Sequence, residues 1–299
     1  MFCSPTAPLA LLPALLAACA GGPDWPAVQV GVGHKHVCVK GAGGSVTCYG
    51  EGEEGQLDVP SASLVQMDAG LLHTCGIDAE GLAHCWGDNE YGQRDAPAGA
   101  FVQITAGGRH SCGLREDGNV ECWGENGDGE LDVPAGVYTH VSAGNHHNCA
   151  LDEEGAITCW GMDYYEGDDP TDAPSGSFTQ VDAGWYGSCA VADDGSASCW
   201  GGWRYYSGSF DAPSGSFSMV SPGTDHGCGV QIDGSVECWG QDTYGAFDGE
   251  GSTETFTAVD TLSFSCGVAD DDRAICWGDN SMMDECTDWV DQEFWDITP

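Results

Sequence analysis

Fourteen of the seventeen cysteines in this 299-residue chain fall into seven pairs with one spacing. They are Cys38 with Cys48, Cys75 with Cys85, Cys112 with Cys122, Cys149 with Cys159, Cys189 with Cys199, Cys228 with Cys238, and Cys266 with Cys276. A cysteine pair can hold zinc, cycle between thiol and disulfide, or close a structural crosslink, and its neighbours decide among these. No CxxC occurs, and the recurring neighbours are Gly and Trp, which speaks against zinc. His36, His73, His110, His147 and His226 each stand two residues before a first cysteine. At one per repeat they lie roughly 10 Å or more apart, too far to share a metal, and read as a structural hydrogen bond repeated by symmetry. His34 and His146 are additional, and could join a neighbour on a surface metal. "ENGDGELD" at 125 to 132 has a superficial likeness to a calcium loop but lacks EF-hand ligand spacing. GxSxG, Walker and HExxH motifs are absent, so no catalytic residue is assigned and neither a cofactor nor a metal is expected.

The spacing has a geometric reading. In "HSCGLREDGNVECWG", residues 110 to 124, Asp117 is the midpoint of the two cysteines, making Glu116-Asp117-Gly118 a three-residue hairpin loop. The common solution for that length is a type I turn followed by a left-handed residue, usually Gly. Gly44, Gly81, Gly118, Gly155, Gly195 and Gly234 fill the slot, and Asp272 fills it in the last copy. Counting outward, 115 faces 119, 114 faces 120 and 112 faces 122. Alternation makes the cysteines a non-hydrogen-bonded pair, close enough for a disulfide. Seven intra-hairpin disulfides are therefore predicted. Trp86, Trp123, Trp160, Trp200, Trp239 and Trp277 follow the second cysteines, with Tyr49 in the first copy. Gly76, Gly113, Ala150, Ala190, Gly229 and Gly267 follow the first cysteines, with Val39 in the first copy. The expectation is that each small residue makes room for the indole diagonal to it, and that the tryptophans are core.

First cysteines recur every 37 to 40 residues, and each unit reads as short alternating strands with no helical periodicity after residue 19. Repeats of this length predict an all-β, seven-bladed β-propeller with up to four strands per blade.

Two segments, "AGGRHSCGL…DGNVECWGENGDGELDVPAG" and "CWGDNEYGQRDAPAGAFVQITAGGRH", resemble repeats of the regulator of chromosome condensation family, a seven-bladed propeller. The likeness runs over about residues 27 to 290. The bacterial branch is closer, including the propeller-type β-lactamase inhibitor with its "WGxNxxGQxDVPAG" phrasing. That family contains nucleotide-exchange factors, a photoreceptor and enzyme inhibitors, so the resemblance implies the fold more than a function. The paired cysteines depart from the intracellular members and argue against guanine nucleotide exchange.

Forty-eight acidic residues face seven Lys and Arg, a formal net charge of −41. Such a surface repels phosphate backbones, which excludes nucleic acid as a partner class. "PLALLPALLAAC" has the length of a signal-peptide apolar segment, and its "LAAC" resembles a lipobox whose Cys19 is lipidated. No Lys or Arg precedes it. The expected organisation is a lipoprotein-type signal peptide over 1–19, a short tether over 20–26 and the propeller over 27–299. The protein would then be an exported monomer held in the cell envelope by its N-terminal lipid.

Departures from the repeat are where function can be placed. Units four and five are long and aromatic, and loops following first and third strands should emerge at one end. Tyr164, Tyr165, Trp185, Tyr186, Trp203, Arg204, Tyr205 and Tyr206 are thus the candidate partner-binding residues. The reading is a non-catalytic propeller that recognises an extracellular protein or glycan. The alternatives are an inhibitor of a secreted enzyme, or a glycan-active enzyme using Asp163, Glu166, Asp168 and Asp169. "FWDIT" at 294 to 298 echoes "FVQIT", so the C-terminal strand could latch the ring or compete with "AVQVG" of the first unit. Cys286 is left over.

Overall fold

The computed structural model describes residues 27–162, 169–202, 211–242, 247 and 253–278, and the backbone of 295–296. Seven antiparallel sheets follow one another along the chain, each taking three consecutive strands, and they form the blades of a seven-bladed β-propeller. In the first blade the inner strand is Ala27–Val32, the middle strand His36–Gly41 and the outer strand Val46–Gly50. Blades are numbered one to seven from here.

Every hairpin has the anticipated register. Cys112 faces Cys122 and Leu114 faces Val120. All seven pairs are bonded as expected: Cys38 to Cys48, Cys75 to Cys85, Cys112 to Cys122, Cys149 to Cys159, Cys189 to Cys199, Cys228 to Cys238, and Cys266 to Cys276. Their Cα atoms lie 4.0 to 4.1 Å apart. The two halves of a bond differ in depth, because the middle strand is covered and the outer strand is an edge. First cysteines are fully buried, whereas Cys48, Cys85, Cys122, Cys159 and Cys199 are only partly so. Cys238 and Cys276, in blades six and seven, are buried on the outer strand as well. Seven such bonds in one chain point to an oxidising environment. The loop glycines take positive φ, as at Gly118 (81°), and Asp272 (67°) is the one non-glycine among the described residues to do so. Asp tolerates that region better than most side chains, which is how the seventh hairpin keeps the same turn.

The small residue after each first cysteine has a different cause from the one expected. A Cβ on Gly113 would come within 2.4 Å of the Phe101 ring, and one on Gly76 within 2.5 Å of Leu64 Cδ1. Gly229 and Gly267 face Phe217 and Phe256 in the same way. The room is made for the large apolar residue at the start of the blade's own inner strand, not for the indole. In blade one that residue shrinks to Ala27, and the middle strand carries Val39 instead. The exchange of volume is therefore Val39 with Ala27, and Tyr49 is not the compensating residue. Ala27→Phe alone is expected to destabilise by about 2 kcal/mol through overpacking. Val39→Gly should recover part of that loss. A double-mutant cycle by urea unfolding that shows no coupling between the two sites would refute the pairing.

The tryptophans are core, and what they hold together is adjacent blades. Trp123 of blade three packs on Cys75, Ile77, Phe101 and Ile104, and donates its indole N–H to Gln93 O at 2.8 Å. Trp86, Trp160 and Trp200 donate equivalently to Gln56, Glu130 and Pro170, always thirty residues upstream. A second link runs through glutamine. Gln66 Nε2 donates to Ile104 O (2.8 Å) while its Oε1 accepts from Ile104 N (2.9 Å), so the side-chain amide pairs with the next inner strand like a peptide group. Gln29, Gln103 and Gln180 do the same to Met67, Val141 and Val220.

The five repeated histidines form a third link. Each is buried, and its Nε2 lies 2.8 to 2.9 Å from Thr74, Ser111, Asn148, Ser188 or Ser265 of the following blade. Ser111 Oγ donates its hydrogen bond to Gln93 O, so it accepts from His73 Nε2–H and holds the neutral tautomer. Where the histidine is missing its partner changes too. Gly187 of blade five is followed by Gly227 in blade six, and Phe264 of blade seven meets Val37 of blade one in a shared apolar cluster. Blades seven and one thus close the ring by packing, reinforced by Ala27 N donating to Asp272 O at 3.1 Å. The described part of the C-terminal segment pairs with no strand of the first blade. Trp295–Asp296 adds a fourth strand to the outer edge of blade seven, opposite Ile275 and Cys276.

Candidate functional site

Inner strands converge on the axis; the residue of each opposite the first cysteine is Gly31, Asp68, Thr105, Ser142, Asp182, Ser221 and Asp260 in turn, and all but Gly31 and Thr105 line an axial cavity of about 50 Å³. Asp68, Asp182 and Asp260 are the carboxylates among them. Hydroxyls and amides of adjacent blades serve them: Thr105 Oγ1 donates to Asp68 (2.7 Å), Ser142 Oγ to Asp182 (2.6 Å) and Val32 N to Asp260 (2.6 Å). Burial outweighs these bonds and pushes Asp68 up to about 6 and Asp182 up to about 7. Asp260 is raised well above its usual value by burial and then by the charges of Asp68 and Asp182. The histidine links are shifted the other way: burial brings His36 down to about 4, and His73 and His147 to about 3.

One end of the axis is surrounded by the turns after the inner strands, where His34, Leu71, Gly108, Asn145, Trp185 and Thr224 occupy equivalent places in blades one to six. The half-buried indole of Trp185 reaches the His34 ring of blade one, centroids 5.6 Å apart, and Tyr186 lies against Trp185 at 6.0 Å. Trp185 therefore sits at the mouth of the axis. The turns after the outer strands leave from this same end. Met162 N donates to His146 O and Gly202 N to Tyr186 O, both at 2.9 Å. The aromatic segments of blades four and five follow directly from Met162 and Gly202. Tyr164, Tyr165, Trp203, Arg204, Tyr205 and Tyr206 themselves lie outside the described residues, as do Cys19, Cys286 and the carboxylates Asp163, Glu166 and Asp168.

The axial carboxylates went unnoticed in the sequence, dispersed among 48 acidic residues. Their signal was positional, since they occupy one place of the repeat that is otherwise Gly, Ser or Thr.

Comparison with known proteins agrees with this architecture. Residues 64–93, 101–130 and 138–166 each match the regulator of chromosome condensation (RCC1) repeat. No curated protein matches the chain. Among solved structures, the CRINKLY WD40 ectodomain of the receptor kinase ACR4 from Arabidopsis thaliana is 25% identical with a TM-score of 0.66, covering 83% of this chain and 93% of that one. The entire ectodomain of the Physcomitrella patens receptor kinase CR4 is 24% identical with a TM-score of 0.69, covering 83% and 71%. Prp20p from Saccharomyces cerevisiae shares 17% identity with a TM-score of 0.67 over 82% and 84%. Blades two to four are thus repeats of the RCC1 type, and the whole described chain is built as a seven-bladed propeller like those of RCC1 proteins.

Proposed function

We propose that the protein is a non-catalytic, exported binding propeller that engages a protein or glycan through the end of the ring bearing Trp185 and Tyr186. The observation that carries this reading is the Trp185/Tyr186 pair, half-exposed at an axial mouth where other blades place Gly108, Asn145 or Thr224. Trp and Tyr are the residue types that dominate binding energy at interfaces. The departure points of two longer, aromatic segments adjoin them. The axial carboxylates have the raised pKa of acid–base catalysts, but a cavity of about 50 Å³ is a fraction of the ~300 Å³ that small-molecule sites need, which favours binding over turnover. Seven disulfides support export, and the ACR4 similarity is to an ectodomain. Attachment through a lipidated Cys19 is part of the same proposal.

In capture from envelope and culture-medium fractions, Trp185→Ala/Tyr186→Ala is expected to lose at least ~10-fold in affinity for a partner retained by the unaltered protein. The Trp203→Ala/Tyr205→Ala/Tyr206→Ala variant tests the adjoining segment. A partner bound equally by both variants would remove this end of the ring from the proposal.

A further inference from the structure

Three departures from the repeat meet in space between blades three and four. The buried Gln56 and Gln93 of the first two blades are replaced in the third by Glu130, still only 1% exposed. Two residues earlier, where those blades carry Glu54 and Tyr91, stands Asp128. Facing them from the next blade is His146, at the place filled by Leu72 and Arg109 for the earlier loops. His146 Nδ1 lies 3.1 Å from Asp128 Oδ2 and 3.7 Å from Glu130 Oε1, and one ligand atom from each residue falls within 4.8 Å of the others.

The preceding blade shows what this place requires when it holds no ion. Gln93 Oε1 accepts from Tyr91 N (3.0 Å) and its Nε2 donates to Asp88 (2.9 Å), so both ends of the amide are used. Arg109 in turn bonds Tyr91 Oη at 3.0 Å. In blade three, Glu130 Oε2 still accepts from an amide, that of Asp128 at 2.9 Å. Its other oxygen has replaced an N–H donor by an acceptor, and His146 Nδ1, at 3.7 Å, faces it from beyond hydrogen-bond distance. A single Nδ1–H cannot satisfy two carboxylates, whereas a cation at their centre can. A tetrahedral site with bonds of ~2.1 Å has ligand separations of about 3.4 Å, and the two distances from His146 fall on either side of that figure.

The carboxylate is also held in place. Glu130 O accepts from both Trp160 Nε1 and Asn148 Nδ2 at 2.9 Å, fixing the loop against blade four. Asp128 and His146 remain about a third exposed, which leaves a coordination position open toward solvent.

We propose that Asp128, Glu130 and His146 form a binding site for one divalent metal ion of the zinc class, with the remaining position open at the same end of the ring as Trp185. The site is independent of any partner bound there. A donor set of one imidazole and two carboxylates suits zinc and its neighbours in the transition series more than Mg²⁺ or Ca²⁺, which prefer all-oxygen shells.

The test is a Co²⁺ titration of the chelator-treated full chain in excess Mg²⁺, which occupies the weak sites that a charge of −41 attracts, followed by displacement with Zn²⁺. One equivalent of Co²⁺ is expected to give the visible absorption of a four-coordinate centre. Glu130→Gln and His146→Ala should each weaken it at least ~10-fold. Glu130→Gln installs the residue that two other blades already carry, so its near-ultraviolet circular dichroism should match the unaltered protein. Absence of the signal, or its retention at full affinity in either variant, overturns the assignment.

Discussion

Reducing all seven disulfides under otherwise native conditions is expected to unfold the propeller. Each bond closes a ten-residue separation and constrains the unfolded chain by about 2 to 3 kcal/mol. Seven such contributions together, about 14 to 21 kcal/mol, match or exceed the upper end of the ~5–15 kcal/mol that is the usual net stability of a domain. The sulfurs are also packing material. Cys75 sits in one cluster with Ile77, Phe101, Ile104 and the Trp123 of the next blade, with Cys85 against it. The arrangement recurs around the ring, where Cys48, Cys159 and Cys199 pack against the equivalent clusters and Cys238 is part of one. Opening a bond to two thiols forces additional volume into that contact. Tryptophan fluorescence and near-ultraviolet circular dichroism, followed during reduction with thiol alkylation as the clock, would report the change. Full alkylation with native spectra would show that the blades stand without their crosslinks. A single pair removed, Cys112→Ala with Cys122→Ala, should leave the ring folded but less stable by about 3 kcal/mol.

Asp182→Asn is expected to stabilise the protein more at pH 8 than at pH 5, by about 2 to 3 kcal/mol. An unfolded aspartate ionises near 4, whereas Asp182 in the folded ring keeps its proton to about 7. Between those values the folded state binds more protons than the unfolded one, so this contribution is complete below ~4 and is lost as pH rises through 7. Asp68 acts alike over a window ending at about 6, and Asp260 extends it further upward. The buried histidines have the opposite sign. His36, His73 and His147 stay neutral down to about 4, 3 and 3, while unfolded imidazoles take protons below ~6.5. Stability from them is therefore lost as pH falls through 6.5 toward 3. The two groups leave an optimum between them, and the alkaline decline belongs to the axis. Asparagine cannot ionise, and it relieves Asp260 of a neighbouring charge. Urea midpoints at pH 5 and 8 decide the matter, since an equal shift at both values would mean that the carboxyl does not titrate in this window.

The hairpins were legible because their geometry is local. A fixed cysteine spacing, a three-residue loop and strict alternation leave one register, and Asp272 could be read as the left-handed residue of the last turn. What joins one blade to the next was far less visible. Repetition shows that His73, Gln66 and Trp123 recur, but not that they reach Ser111, Ile104 and Gln93 across the blade boundary. The matched changes at Gly187 with Gly227 and Phe264 with Val37 carried that information, and only once the boundary is known do they read as pairs. The small residue at Gly113 was assigned to the wrong aromatic for the same reason: Trp123 belongs to the hairpin itself but packs toward the preceding blade, while Phe101 comes onto Gly113 from the blade's own inner strand. Of the candidate binding residues, Trp185 and Tyr186 could be placed at one end of the ring by counting strands. That Trp185 turns inward to His34 depends on the curvature of the whole ring.

The crosslinks also bear on how the chain is made and how it evolves. Fourteen thiols admit on the order of 10⁵ complete pairings, yet here each correct partner is the next cysteine along the chain. As the polypeptide emerges into an oxidising space, a hairpin can be sealed before the following pair has arrived, and mispairing has little opportunity. First cysteines are spaced irregularly, from 37 to 40 residues, while the distance inside each pair never varies. Length is thus free to change in the connecting turns at one end of the ring, and whole units can be duplicated or exchanged without rewiring their neighbours.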